Sequence, residues 1–123
     1  MNIRELQTKY KLSKDDFWEV RGGIWVITHN ACEKIAEIEK IKFLQPEVHY
    51  WLDSICLIGF AEKDEKFIWA TGEASDQNVK GQGKYYWAMA EKRLKDRLTL
   101  KMINAYEWGI YSEEESEAFK KNK

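Results

Sequence analysis

From Trp87 onward, apolar residues return every three or four positions: Trp87, Ala90, Leu94, Leu98 and Met102, with Ile103 and Ala105 beside them. A half-buried strand would show a period of two, so this spacing predicts one helix over residues 84–105 with a single apolar stripe. A stripe of that length must lie on something comparably large, and the segments before it read as a sheet. Residues 54–62 (SICLIGFAE) and 67–72 (FIWATG) are apolar runs on either side of the polar tip Lys63-Asp64-Glu65-Lys66, the layout of a β-hairpin. Pro46 has no ladder donor, which makes residues 41–44 and 48–51 an edge strand with an irregularity at the proline. Residues 74–83 (ASDQNVKGQG) are polar and glycine-bearing and read as a loop.

The N-terminal part carries shorter signals. Ser13 followed by Asp15 and Asp16 resembles a cap and an acidic first turn, predicting a short helix through Phe17, Trp18 and Val20 that ends at Gly22 and Gly23. Residues 24–28 (IWVIT) read as a strand, after which Asn30 caps a helix over about 31–40 bearing Ile35, Ile38 and Ile41. The expected fold is α+β: an antiparallel β-sheet of three to four strands packed against a long C-terminal helix, with short N-terminal helices. With 123 residues, no repeat and no linker, the chain reads as a single domain, 1–123.

Lys and Arg number 20 against 21 Asp and Glu, a net charge of −1, which excludes a uniformly basic coat for a polyanion. The charge is segregated, however. Between Val79 and Asn104 stand seven basic residues against two acids, a balance of +5, and the rest of the chain carries −6, including an acidic tail at 112–123. Arg93, Arg97 and Lys101 follow Met89 at steps of four and stack one helical turn apart, about 6 Å between neighbours. Gly81 and Gly83 precede the helix, where exposed N–H groups and the positive end of the macrodipole favour phosphate. Lys80, Lys84, Lys92, Arg93, Arg97 and Lys101 are therefore the candidate phosphate contacts, with Tyr85 and Tyr86 as base-stacking residues. The competing reading makes the same cations a solvated helix face balanced by Glu91 and Asp96. Trp25, Trp69 and Trp87, on apolar faces, are assigned to the core.

Enzyme readings fare worse. Lys80-Gly81-Gln82-Gly83-Lys84 is too short for a Walker loop, and Tyr85 stands where a magnesium-holding hydroxyl is required. His29, Cys32, His49 and Cys56 could in principle supply four zinc ligands, but Cys56 falls inside an apolar strand, where a free thiol is the simpler reading. Asp53, Asp64 and Lys66 imitate a nuclease constellation, yet the latter two fall at the hairpin tip. No metal, cofactor or catalytic residue is assigned. No apolar run approaches the roughly 20 residues of a membrane span and the opening residues hold no signal-type stretch, so a cytoplasmic protein with no membrane partner and reduced cysteines is expected.

The order of elements, with Gly72-Glu73-Ala74-Ser75 before the loop and Ala90-Glu91-Lys92-Arg93-Leu94-Lys95-Asp96-Arg97-Leu98 on the helix, is similar to the β-β-β-α core of the single-strand annealing recombinase superfamily, which includes the phage Erf, Sak and RecT types. The resemblance covers about residues 41–110. It implies binding of single-stranded DNA, with RNA as an alternative strand, ATP-independent annealing in recombination and repair, no cofactor, a homo-oligomeric ring or filament, and, for a phage-encoded protein, the cytoplasm of the bacterial host. Trp108 and Tyr111, outside the apolar stripe, are the candidate subunit contacts. The rival readings are a single-strand binding protein of OB type, a metal-dependent nuclease, and a protein-interaction factor of anti-defence type whose basic helix meets an acidic partner.

Overall fold

The computed structural model describes residues 2–75 and 86–115. In chain order the elements are α1 (Ile3–Tyr10), β1 (Phe17–Arg21), β2 (Ile24–Ile27), α2 (His29–Glu39), β3 (Lys42–Phe43), β4 (Glu47–Trp51), β5 (Ser54–Lys63), β6 (Lys66–Ser75), α3 (Tyr86–Met102) and β7 (Ile110–Ser112), with 3-10 turns at Lys14–Asp16, Ala105–Trp108 and Glu113–Glu115. The α+β class and the sheet-plus-long-helix plan agree with the expectation. The backbone falls into two compact units, Met1–Lys40 with Thr99–Lys123, and Ile41–Leu98.

In the first unit, Asn2 accepts from the Glu5 N–H and starts α1, whose Leu6 and Tyr10 lie one turn apart and are buried. Thr28, rather than Asn30, caps α2 by accepting from the Ala31 N–H, and the Glu113 carboxylate accepts from the His29 N–H at 2.9 Å. An acid at a helix N-terminus is also favoured by the macrodipole. Leu6, Tyr10, Ile27, Ile35, Leu100 and Ile110 form a core with less than 2% of each exposed. Burial of each contributes roughly 1.5–3 kcal/mol.

The predicted helix through Phe17, Trp18 and Val20 is instead β1, paired antiparallel with β2 across the two-residue Gly22-Gly23 turn. The cap signal itself was genuine: Ser13 and Asp16 form a reciprocal capping box. It supports only one 3-10 turn, because Phe17, Trp18 and Val20, which follow, are aromatic or β-branched and Gly23, at φ +81°, makes the tight hairpin reversal. β2 also pairs in parallel with β7, which gives a three-stranded sheet, β1-β2-β7, that the sequence pattern did not suggest.

The second unit has β5 at its centre. β6 lies antiparallel along one side of it, while β3 and β4 lie end to end along the other, broken around Pro46 as expected of an edge. Residues on β5 alternate: Ile55, Leu57, Gly59 and Ala61 are buried, and the residues between them are half-buried. The buried set faces α3. A Cβ on Gly59 would come within 2.5 Å of the Leu94 side chain, and one on Gly72 would overlap the Ala90 carbonyl oxygen. The helix backbone therefore sits on the sheet at a spacing that only glycine permits. α3 ends at Met102, short of the expected 105, and Asn104 turns the chain in the left-handed region at φ 60°.

Candidate nucleic-acid interface

Helix α3 was expected to present Arg93, Arg97 and Lys101 as one ladder, but its two arginines are engaged with β6. Arg93 Nη1 donates to the Glu73 carbonyl at 2.7 Å, and Arg97 Nη1 donates to the Thr71 carbonyl at 2.7 Å. The Arg97 guanidinium also grips the Glu73 carboxylate through two contacts, each of 3.0 Å. Among the described residues β6 pairs only with β5, so these arginines cap carbonyls of an edge strand and blunt it against further pairing. The same bidentate partner holds the Glu73 carboxyl below its ordinary value, with burial opposing. As bound, Arg93 and Arg97 act as clamps between helix and sheet, a role that spacing along one helix could not reveal.

The other sequence candidates divide by position. Lys80, Lys84 and Tyr85 lie outside the described residues. Tyr86 is the first residue of α3 and is half-buried; Lys92 is half-buried and Lys101 exposed. Lys95 pairs with Glu91 one turn earlier at 3.7 Å and lies over the Phe43 ring.

Two tryptophans assigned to the core are not buried: Trp69 and Trp87 are each 56% exposed. Trp25 does pack on the first unit's core, tilted against Phe17. Trp87 opens the stripe in the first turn of α3 and meets Tyr50 of β4, with ring centroids 5.9 Å apart and planes inclined by 46°. Tyr50 is itself 70% exposed. This open aromatic pair stands at the helix N-terminus, one residue after Tyr86, and was missed from sequence. Two signals could have found it: the apolar stripe begins at Trp87, and Tyr50 belongs to the proline-marked edge.

Trp108 and Tyr111, expected at subunit contacts, are engaged inside the first unit. Trp108 packs against its core, and the Tyr111 ring lies 5.4 Å from that of Tyr106. The start of the acidic tail is likewise used locally, since Glu115 accepts from the Tyr106 hydroxyl at 3.0 Å.

His29 and Cys32 stand on α2, with Cys32 buried, while His49 and Cys56 face each other across the β4–β5 ladder. No group of three or more His, Cys, Asp or Glu residues among those described is arranged to hold a metal ion. Asp53 and Asp64 flank the ten-residue β5 at opposite ends, about 36 Å apart along the strand at roughly 3.3 Å per residue, so they cannot share one ion. No described helix is long and apolar enough to cross a membrane. Comparison with protein-family models, curated proteins and solved structures found no match for the chain.

Proposed function

We propose that this protein binds single-stranded DNA without marked sequence preference and promotes annealing of complementary strands without ATP, as a self-associating component of a phage-type recombination system acting in the cytoplasm. The observation that carries the reading is the solvent-open Tyr50–Trp87 pair at the start of α3. In sequence Trp87 follows shortly after Lys80 and Lys84, so one stacking ring and the cations are close along the chain. Bases stack on such rings at about 1–3 kcal/mol each without demanding a sequence, while lysines neutralise the backbone. Over the span of the resemblance, 41–110, strands β3 to β6 precede the long helix α3, an order of sheet then helix that supports the reading. Annealing needs no bond chemistry: the strand must be held by its phosphates while base edges stay available for pairing.

The geometry modifies the expected contact set. Arg93 and Arg97 serve the helix–sheet junction, which leaves the lysines and the aromatic pair as the strand contacts. Fluorescence anisotropy of a labelled oligothymidylate, titrated with protein at several salt concentrations, tests this. Each phosphate neutralised adds about −0.7 to the slope of log affinity against log salt. A slope near zero removes the reading, and a labelled oligouridylate in parallel separates DNA from RNA. Complementary oligonucleotides mixed with the protein in the absence of ATP should pair faster than when mixed alone.

A further inference from the structure

Among the described residues, the second unit covers one face of its sheet with α3 and leaves the other face open. That open face carries Cys56, Ile58 and Phe60 on β5 and Phe67 and Trp69 on β6, with Trp51 at its far end. Phe60 and Phe67 stack at 5.9 Å with planes 21° apart, so the rings already form a flat apolar surface. We infer that this face is where two copies of the chain associate, sheet against sheet. The inference specifies the self-association proposed above and makes no use of DNA.

Area and charge select the occupant. Trp51, Phe67 and Trp69 are 63%, 58% and 56% exposed, which at about 150–250 Å² per aromatic residue leaves roughly 270–440 Å² in water before Ile58 and Phe60 are added. Two such faces brought together remove about 500–900 Å² of aromatic area, and with Ile58, Phe60 and their polar rims approach the roughly 1,200 Å² at which specific interfaces begin. The ionisable residues on the face are Lys42, Glu47, His49, Glu62 and Glu73, a set with no net positive charge. Lys42 lies 3.4 Å from Glu62, and Glu73 is held by Arg97. A phosphate backbone finds no attraction there, whereas a second copy brings the same apolar centre, with Lys42–Glu62 and Glu73–Arg97 already paired. Facing sheets pack about 10 Å apart through interdigitated side chains, a distance these rings can fill.

Sedimentation velocity without DNA, over a wide range of protein concentration, tests the inference with wild type and Trp69→Lys. The wild type should shift from monomer to dimer as concentration rises. Trp69→Lys should weaken the dimer about tenfold or more, as loss of a central aromatic does, with an unchanged circular dichroism spectrum. Cys56 is a native reporter for the same face, half-exposed where Cys32 is buried. Burial, with Glu73 adding to it, pushes the Cys56 thiol up, so labelling belongs in alkaline buffer. Iodoacetamide should alkylate Cys56 more slowly at protein concentrations where the dimer forms; this measurement needs no variant to fold. A wild type that stays monomeric throughout overturns the inference. So does a dimer that Trp69→Lys leaves intact with Cys56 still reactive, because association then uses another surface. If the wild type is monomeric and single-stranded DNA alone shields Cys56, the face belongs to nucleic acid and the inference fails, while the DNA-binding proposal stands.

Discussion

The two units make opposite use of similar apolar residues. The first gathers Leu6, Tyr10, Ile27, Ile35, Leu100 and Ile110 into one buried core. Among the described residues, the second holds most of the large apolar side chains left in water, namely Val48, Tyr50, Trp51, Leu52, Phe67, Trp69 and Trp87, whereas the first leaves only Trp18 and Ile38 so exposed. The reason is architectural. Helices α1 and α2 and a three-stranded sheet can surround a centre, but one helix on one sheet covers a single face and leaves the reverse open. Exposed aromatic surface concentrated in one unit marks where contacts with other molecules should be sought.

The largest effects should come from changes that treat the two units alike. Ile35→Ala removes a fully buried side chain from the first core and should cost about 4 kcal/mol in urea unfolding. Gly72→Val places side-chain atoms where α3 approaches the sheet and should cost about 3 kcal/mol. Hydrogen exchange should show faster amides chiefly over residues 41–98 for the glycine variant. As the contrasting case, Phe67→Ala, on the open face, should stay within about 0.5 kcal/mol of wild type. A Phe67→Ala loss as large as that of Ile35→Ala would erase the difference between the units.

Next in size is the clamp. Arg97→Ala leaves the Thr71 carbonyl and the Glu73 carboxylate without that donor and should destabilise the protein by about 1–3 kcal/mol, whereas Lys101→Ala on the exposed flank should change little. Chemical unfolding of the two variants separates the cations that the ladder spacing made equivalent. If Arg97→Ala unfolds like the wild type but binds DNA poorly, the arginine contacts phosphate after all.

What could be read from the sequence followed from periodicity. The β5–β6 hairpin, the edge character around Pro46 and most of α3 announce themselves through alternation, turn residues and a three-to-four repeat. β1 did not, because the Ser13–Asp16 cap is a real local structure and nothing within it records that the chain leaves the helix after one turn. The ladder misled for a related reason: spacing places Arg93, Arg97 and Lys101 near one another but cannot tell which of them reaches a strand edge. Trp87 sits in a stripe whose remaining members are buried, and its exposure depends on where the sheet stops beneath the helix. For the site, the lysines and Tyr86 were legible as candidates, while the Tyr50–Trp87 meeting joins residues far apart in sequence.

Trp87→Ala should then act on binding alone. Loss of one stacking surface corresponds to about 1–3 kcal/mol, or roughly a 5- to 150-fold weaker affinity for a short oligothymidylate by anisotropy, with the melting temperature little changed. Equal binding by the variant and wild type would move the strand away from the start of α3 and leave the exposed pair without a part in recognition.

The smallest expected effect is a pH dependence in which each unit has its own carboxylate. Burial alone would raise Asp16, but the Lys34 ammonium at 2.7 Å and the Ser13 N–H hold it below its ordinary value of 3.8. Glu73 is held below 4.5 chiefly by Arg97. In both cases the folded state binds the proton more weakly than the unfolded chain, so the stabilisation is present in full above the ordinary value and fades as pH falls through the lower folded one. Stability measured by urea unfolding should accordingly decline with acid beginning near pH 4.5 for Glu73 and near 3.8 for Asp16. Glu73→Gln should be less stable than wild type above that window and converge with it below, because protonation removes the same charge. The Glu73 side chain is 47% exposed and that of Asp16 is 9%, so added salt should shrink the first contribution much more than the second. Wild-type and Glu73→Gln curves that stay parallel from neutral pH into acid would show that the carboxylate charge contributes nothing at the clamp, leaving the arginine–carbonyl hydrogen bonds to hold α3 against β6.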